Sequence, residues 1–317
     1  MVDTRSKRGE GRPDRREAIR IGRGGGDHRR MIPTMSGLAR PELLASTEWV
    51  AEHLGRQGVR LIDARWRPDG TGADVFLAGQ IPNARHVDWR VDLVDDVEDS
   101  DAMRLAAPDR IAEVATRAGI GDGSTVVVYD DTQGLYAARV WWSLRAYGLE
   151  QVRILDGGFP AWEAEGRPVA RGLSNGIELP VAPFTPRGPN RMHLTTSDVR
   201  AMLGAPGVAL LDARAPAEYR GFEGNTRRLG HIPGAINVPV GTMHHAGSQK
   251  LRSGDELRSR LHSANVSRGR RMVAYDGSGV AAAKLAFVLM LLGHDDVAVY
   301  DGGWAEWGNR LDLPVDR

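Results

Sequence analysis

The 317-residue sequence contains no cysteine. It therefore has no disulfide, no thiolate ligand for a metal and no thiol nucleophile. No apolar run approaches the ~20 residues that span a bilayer, and residues 1–30 lack the apolar segment of a secretory signal. We therefore expect a cytoplasmic protein without a membrane partner.

An excess of charge of one sign is confined to the amino terminus. Lys and Arg total 42 against 41 Asp and Glu, yet residues 1–30 hold ten basic and only five acidic side chains. This segment has almost no large apolar side chain, so residues 1–40 are predicted to form a disordered basic tail, with Met31 or Met35 as an alternative start. No aromatic residues alternate with its charges, which disfavours a nucleic-acid partner.

The remaining sequence contains one long internal repeat. Leu-Leu-Asp-Ala-Arg at 210–214 repeats Leu-Ile-Asp-Ala-Arg at 61–65, and the Asp-Gly-Gly of 156–158 returns at 301–303. A period near 147 residues is too long for a solenoid, so it predicts two copies of one domain.

The copies are assigned to residues 41–167 and 191–317, with a proline-rich linker over 168–190. Within them, short apolar runs are typical of buried parallel strands, and longer apolar patterns that end at a glycine predict helices. The strands are predicted at 59–62, 125–129 and 152–155, and the helices at 136–147 and 281–292. The sequence therefore predicts an α/β fold with a parallel sheet, flanked by helices, in each copy.

One junction between a strand and a helix carries the main chemical signal. The apolar run 272–275 ends at Asp276, and the loop before the helix consists of Gly277, Ser278, Gly279, Val280 and Ala281. Backbone N–H groups of such a loop converge into an anion-binding site at the helix N-terminus. The residues alone leave open whether Asp276 or Ser278 simply caps the helix.

These blocks, in this order, resemble the tandem-domain rhodanese family of thiosulfate and 3-mercaptopyruvate sulfurtransferases. The resemblance covers roughly residues 45–317 and implies two rhodanese-like domains, of which the first is catalytically silent. In the family, a cysteine at the first loop position of the second domain becomes a persulfide and passes its sulfur to cyanide or a thiol. The resemblance therefore puts Asp276 at the nucleophile position and implies a small sulfur-containing anion as substrate, without a cofactor or metal.

Three departures from the family pattern affect this site. Asp276 supplies no thiolate, Ala281 replaces a hydroxylated residue, and Glu218 stands where active relatives have an Arg. The resemblance assigns substrate binding to the region of Arg214, Glu218 and Arg220. Asp276 also matches Asp130 of the silent copy.

The sequence thus predicts a sulfurtransferase homologue that has lost persulfide chemistry, because no other side chain can bond sulfur to sulfur as a thiolate does. An anion- or protein-binding regulatory module and a new Asp-based hydrolase or transferase are the alternatives, so whether the chain is an enzyme stays open. Arg139 and Arg145 are expected to line a cleft or to pair at the surface. His244 and His245 are expected to be solvated loop residues rather than metal ligands.

Removal of residues 1–34 is expected to leave the melting temperature within about two degrees of the full chain, because no buried contact is lost. Thermal denaturation of the two proteins measures this. A large fall would mean that the tail packs on the folded part.

Overall fold

The computed structural model describes residues 36–95, 102–173, 183–267 and 269–317. The predicted tail up to residue 35 and part of the predicted linker lie outside these ranges. Within them, no helix combines the length and the apolar character that crossing a membrane requires.

Two five-stranded sheets, with only parallel strand pairs, form the framework, which confirms the predicted fold class. The strand order is β1-β5-β4-β2-β3 in the first sheet and β6-β10-β9-β7-β8 in the second, so both copies share one topology. The first-sheet strands are β1 (Leu44–Ala45), β2 (Val59–Asp63), β3 (Ala84–His86), β4 (Thr125–Tyr129) and β5 (Val152–Leu155). The second-sheet strands are β6 (His193–Leu194), β7 (Val208–Asp212), β8 (Ile236–Asn237), β9 (Arg271–Tyr275) and β10 (Val297–Tyr300).

Helices cover both faces of each sheet, as expected for parallel strands that are buried on both sides. In the first copy they are α1 (Thr47–His53), α2 (Gly72–Ala78), α3 (Trp89–Asp92), α4 (Pro108–Arg117), α5 (Leu135–Ala146) and α6 (Gly158–Ala164). In the second copy they are α7 (Thr196–Ala201), α8 (Pro216–Tyr219), α9 (Gly254–Ser263), α10 (Val280–Leu291) and α11 (Gly303–Trp307).

The largest apolar core lies between the two sheets and is shared by both copies. Helices α5 and α10 run through it, and the rings of Trp141 and Phe287 meet edge to face with centroids 5.0 Å apart. Both helices are buried almost all round, which explains why their sequences show no polar face. Each copy thus completes the core of the other.

Buried polar contacts join the copies in a nearly symmetric pattern. In one direction, the Leu105 N–H of the first copy donates to Asp301 of the second. In the other direction, the Leu251 N–H donates to Asp156 Oδ1 at 2.9 Å. The two aspartates are the repeated residues of the Asp-Gly-Gly motif.

One buried ion pair adds to these contacts. Arg139 Nη1 on α5 lies 2.8 Å from Asp301 Oδ1, and both side chains are at most 2% exposed. Burial alone would raise the pKa of Asp301, but the charge of Arg139, together with His193 and the Leu105 N–H, lowers this pKa overall. The expectation that Arg139 lines a cleft or pairs at the surface is therefore wrong: the residue is an internal bond between the copies.

Residues 36–40, which the sequence placed in the tail, bind the second copy. The N–H groups of Ala39 and Arg40 donate to the Leu291 carbonyl at 2.9 and 3.0 Å, and Gly254 donates to the Ser36 carbonyl at 3.0 Å. The expected boundary at residue 40 therefore falls too late, because polar composition does not reveal backbone hydrogen bonds to the end of α10.

The Arg139→Met variant is expected to lose about 3–5 kcal/mol of unfolding free energy, because Asp301 stays buried without its counter-charge. Denaturant titration measures the loss. Arg258→Met is the matched control, since its pair with Asp255 is largely exposed and is worth at most about 1 kcal/mol. Equal losses in the two variants would contradict the assigned role of Arg139.

Candidate functional site

The loop from Asp276 to Gly279 links the carboxyl end of β9 to the first residue of α10. It thus lies where parallel α/β sheets hold their ligands. Gly279 adopts a left-handed conformation with φ of +83°, and a Cβ atom there would lie 2.5 Å from Arg139 Nη1. Glycine is therefore required at the last loop position, both for the turn and for the close approach of the other copy.

Asp276 occupies the anion-binding position of its own loop. Its Oδ1 accepts the Gly279 N–H at 2.5 Å, and its Oδ2 accepts the Ala281 N–H at 3.1 Å. The residue is 6% exposed. Burial raises the pKa of Asp276, while the N–H donors of the loop oppose this rise. The sequence left open whether this loop binds an anion or Asp276 caps the helix. In the structure both hold, because the Asp276 carboxylate caps the helix and is itself the anion that the loop binds.

The first copy contains the same arrangement. Asp130 follows β4, is almost fully buried and accepts four backbone N–H groups at 2.8–2.9 Å, those of Thr132, Gly134, Tyr136 and Ala137. Asp276 and Asp130 thus both accept backbone N–H groups at the start of the following helix. A carboxylate held in this way acts as a hydrogen-bond acceptor, and its donors lower its nucleophilicity by stabilising the negative charge.

The repeated Asp-Gly-Gly motif supports each loop from below. The Trp304 N–H donates to the Asp276 carbonyl at 2.6 Å, and the Phe159 N–H donates to the Asp130 carbonyl at 2.8 Å. A Cβ atom on Gly303 or Gly158 would collide with these carbonyls at 2.5 and 2.2 Å, so both positions need glycine.

The structure disfavours the expected substrate-binding role of Arg214. Its side chain is buried and donates to Asp212, with 2.6 Å between Nη2 and Oδ2, and to the Gly230 carbonyl at 2.8 Å. The guanidinium also stacks 4.7 Å from the centre of the Trp304 ring. Arg214 is thus committed to holding the end of β7.

Glu218 and Arg220 stand apart from the candidate loop. Half-buried Glu218 accepts the Ala215 N–H at 3.3 Å and so caps the short helix α8, while Arg220 ends that helix and is exposed. No hydrogen bond or ion pair among the described residues joins either side chain to Asp276. A substrate-binding role for this pair stays a prediction.

Two further expectations change in the structure. His244 is half-buried rather than solvated, and burial together with the charge of Lys284 lowers the pKa of His244 to about 2. Arg145 lies over the Trp141 ring, 5.4 Å from its centre, and bonds to the Glu150 carbonyl. Both residues were misjudged because the shared core covers them. Within the described ranges, no three His, Asp or Glu side chains form a group suited to a metal ion.

Comparisons with known proteins agree on one family. The profile of the Rhodanese-like domain matches residues 46–165 and again 195–310. The human 3-mercaptopyruvate sulfurtransferase is 35% identical over 289 residues, covering 86% of this chain and 95% of that protein. A putative thiosulfate sulfurtransferase of Mycobacterium tuberculosis, SseB, is 36% identical over 269 residues, covering 82% of this chain and 91% of that one.

The fold of a solved structure agrees as well. The crystal structure of the 3-mercaptopyruvate sulfotransferase SseA from Escherichia coli superposes with a TM-score of 0.74 and 30% identity. The match covers 83% of this chain and 98% of that one.

Replacement of Asp276 by alanine is expected to open the loop to an external anion. The variant should be less stable by about 1–3 kcal/mol, because buried N–H groups lose their acceptor. Its melting temperature should then rise with added sulfate or thiosulfate, since an anion bound only to the folded state stabilises it. Thermal denaturation across an anion series measures both effects.

The unmodified chain should show no such specific rise, and Ser278→Ala serves as the control for a change within the same loop. An equal response to anions in the unmodified chain and in Asp276→Ala would show that the internal carboxylate does not occupy the site.

Proposed function

Because the chain belongs to the rhodanese-like family, we propose that it is a thiosulfate/3-mercaptopyruvate sulfurtransferase homologue that carries out no persulfide chemistry and serves as a protein-binding regulatory module. The observation that carries this proposal is the Asp276 carboxylate, which occupies the loop that the resemblance assigns to the reactive sulfur. The absence of any cysteine elsewhere supports it, since no second thiol can take over the role.

A protein is favoured over a free anion as the partner. The Gly279 and Ala281 N–H groups already donate to Asp276, so a small anion would have to displace a covalently tethered carboxylate. Gly277 and Ser278 are only half-buried, and a Cβ atom built on Gly277 meets no atom within 4 Å. Gly277 and Ser278, held in place by the Asp276 carboxylate, therefore offer an accessible and ordered surface to a partner.

The Asp-based hydrolase or transferase is the weaker alternative. A carboxylate nucleophile needs a free lone pair directed at the substrate. Both Asp276 oxygens accept backbone hydrogen bonds, and the residue is 6% exposed. The geometry therefore favours a structural carboxylate.

Incubation of the unmodified chain with thiosulfate is expected to add no sulfur atom to its mass, and the chain should form thiocyanate from cyanide no faster than a heat-inactivated sample. The Asp276→Cys variant is expected to form a persulfide, because its thiolate would face the N–H groups of the loop at a helix N-terminus. Intact-mass spectrometry measures the added sulfur.

Ser278→Cys is the matched control, because it places a thiol on the same loop without aiming it at the N–H groups that hold Asp276. Persulfide formation by both variants to the same extent would show that the reaction does not depend on the position of the thiol in the loop. Turnover by the unmodified chain above the heated control would refute the proposal outright.

A further inference from the structure

Lysine is scarce in this chain. Of the 42 basic Lys and Arg residues, 39 are arginine, and the three lysines are Lys7, Lys250 and Lys284. Lys284 lies on α10 inside the shared core, with only 4% of its surface exposed. A chain that uses arginine almost everywhere for positive charge thus has an amine at one of its most buried cationic positions, alongside Arg139 and Arg65.

The internal repeat makes Lys284 the counterpart of Arg139. Each is the fifth residue of its helix, on α10 and α5 respectively. Arg139 reaches the Gly279 carbonyl of the second copy, and Lys284 lines a cleft with Thr132 and Gln133 of the first. Their surroundings differ, however. Arg139 pairs with Asp301, whereas the Lys284 amine forms no hydrogen bond or ion pair with any residue in the described ranges.

The charges around Lys284 leave its amine uncompensated at close range. Asp130 acts on it only as a nearby charge, because the Asp130 oxygens already accept four backbone N–H groups. Burial lowers the pKa of Lys284 to about 8, although the Asp130 charge opposes this. His244, which faces the same amine, is neutral because burial lowers its own pKa to about 2. A sizeable neutral fraction of the amine therefore exists near pH 7.5.

The Lys284 amine borders an open cleft between the two copies. The cleft has a volume of about 340 Å³. It is lined by the loop after β4 (residues 131–133), by Leu135, and by Val240 and Gln249 of the second copy. Gln249 Oε1 accepts the Gln133 N–H at 3.1 Å, which ties the two walls together. Asp131 at the rim is neutralised by its ion pair with Arg67. The cleft thus combines a buried nucleophilic amine, amide side chains and apolar walls, and it has room for a molecule of a few heavy atoms.

We propose that this cleft is a second ligand site, in which the Lys284 amine condenses with a small aldehyde or α-keto acid to form an imine. The amine nitrogen attacks the carbonyl carbon, a carbon–nitrogen bond forms, and the carbonyl oxygen leaves as water with the two protons of the amine. No oxidant or reductant is required. A guanidinium cannot carry out this step because it stays protonated, so an amine at this position gives the cleft a chemistry that the Arg139 side lacks.

This site is independent of the proposed function, because it lies at the loop after β4 and uses no atom of Asp276. The experiment is therefore separate from the sulfur-transfer assays. The unmodified chain is incubated with glyoxylate and sodium cyanoborohydride at pH 7.5, and the modified lysines are located by peptide mapping. Lys250 is the reference within the same molecule, with a side chain that is 35% exposed and 3.7 Å from Glu165.

Lys284 is expected to be labelled at least about tenfold faster than Lys250, since a pKa lowered to about 8 leaves a sizeable neutral fraction of the Lys284 amine beside the cleft. The Lys284 rate should saturate with glyoxylate concentration while that of Lys250 rises linearly. In urea the two rates should become similar, because unfolding removes both the cleft and the burial that lowers the pKa of Lys284.

Lys284→Arg should remove the fast adduct from the intact mass while keeping the charge, and Lys250→Arg should leave it. If Lys284→Arg does not fold, the comparison of the two lysines in the unmodified chain decides alone. Labelling of Lys284 no faster than Lys250, or a Lys284 rate that does not saturate, would overturn the proposal.

Discussion

Converging backbone N–H groups at a helix N-terminus need an anion, and this requirement organises the molecule. The loops after β4 and β9 each direct such groups inward at the start of a buried helix. Here the chain provides both anions itself, as Asp130 and Asp276. Each loop is therefore satisfied without a ligand, and α5 and α10 can begin deep in the shared core. A thiolate at position 276 would satisfy the same donors, which is why one substitution can end the sulfur chemistry and leave the fold intact.

The second constraint is the near two-fold relation between the copies. Asp156 and Asp301 each accept an N–H from the opposite copy, so the repeated motif that supports a loop also fastens the interface. The Arg139–Asp301 pair strengthens one side of this relation and reaches the Gly279 loop. The geometry of the loop in the second copy thus depends on a residue of the first.

Much of this fold could be predicted from residues alone, because apolar runs bounded by glycine report strands and helices directly. The strands at 125–129 and 152–155 have the predicted bounds, and α5 and α10 begin one residue early because the left-handed Gly134 and Gly279 end their loops. The two-residue strands β1 and β6 are too short for any periodicity to reveal. The roles of Arg139 and Arg214 also escaped prediction, since their partners depend on which elements meet in space.

The two sides of the interface show how two copies of one domain can differ at equivalent positions. On the side of Asp276, Arg139 forms a buried ion pair with Asp301. On the side of Asp130, the equivalent cation is Lys284, which is buried, unpaired within the described ranges and next to an open cleft. Burying a cation without a close partner costs folding free energy. The Lys284 amine, one of only three lysines in the chain, therefore destabilises the folded state. Both loops are thus satisfied, but of the two equivalent cations only Arg139 has a close counter-charge among the described residues, so small-molecule chemistry is best sought at Lys284.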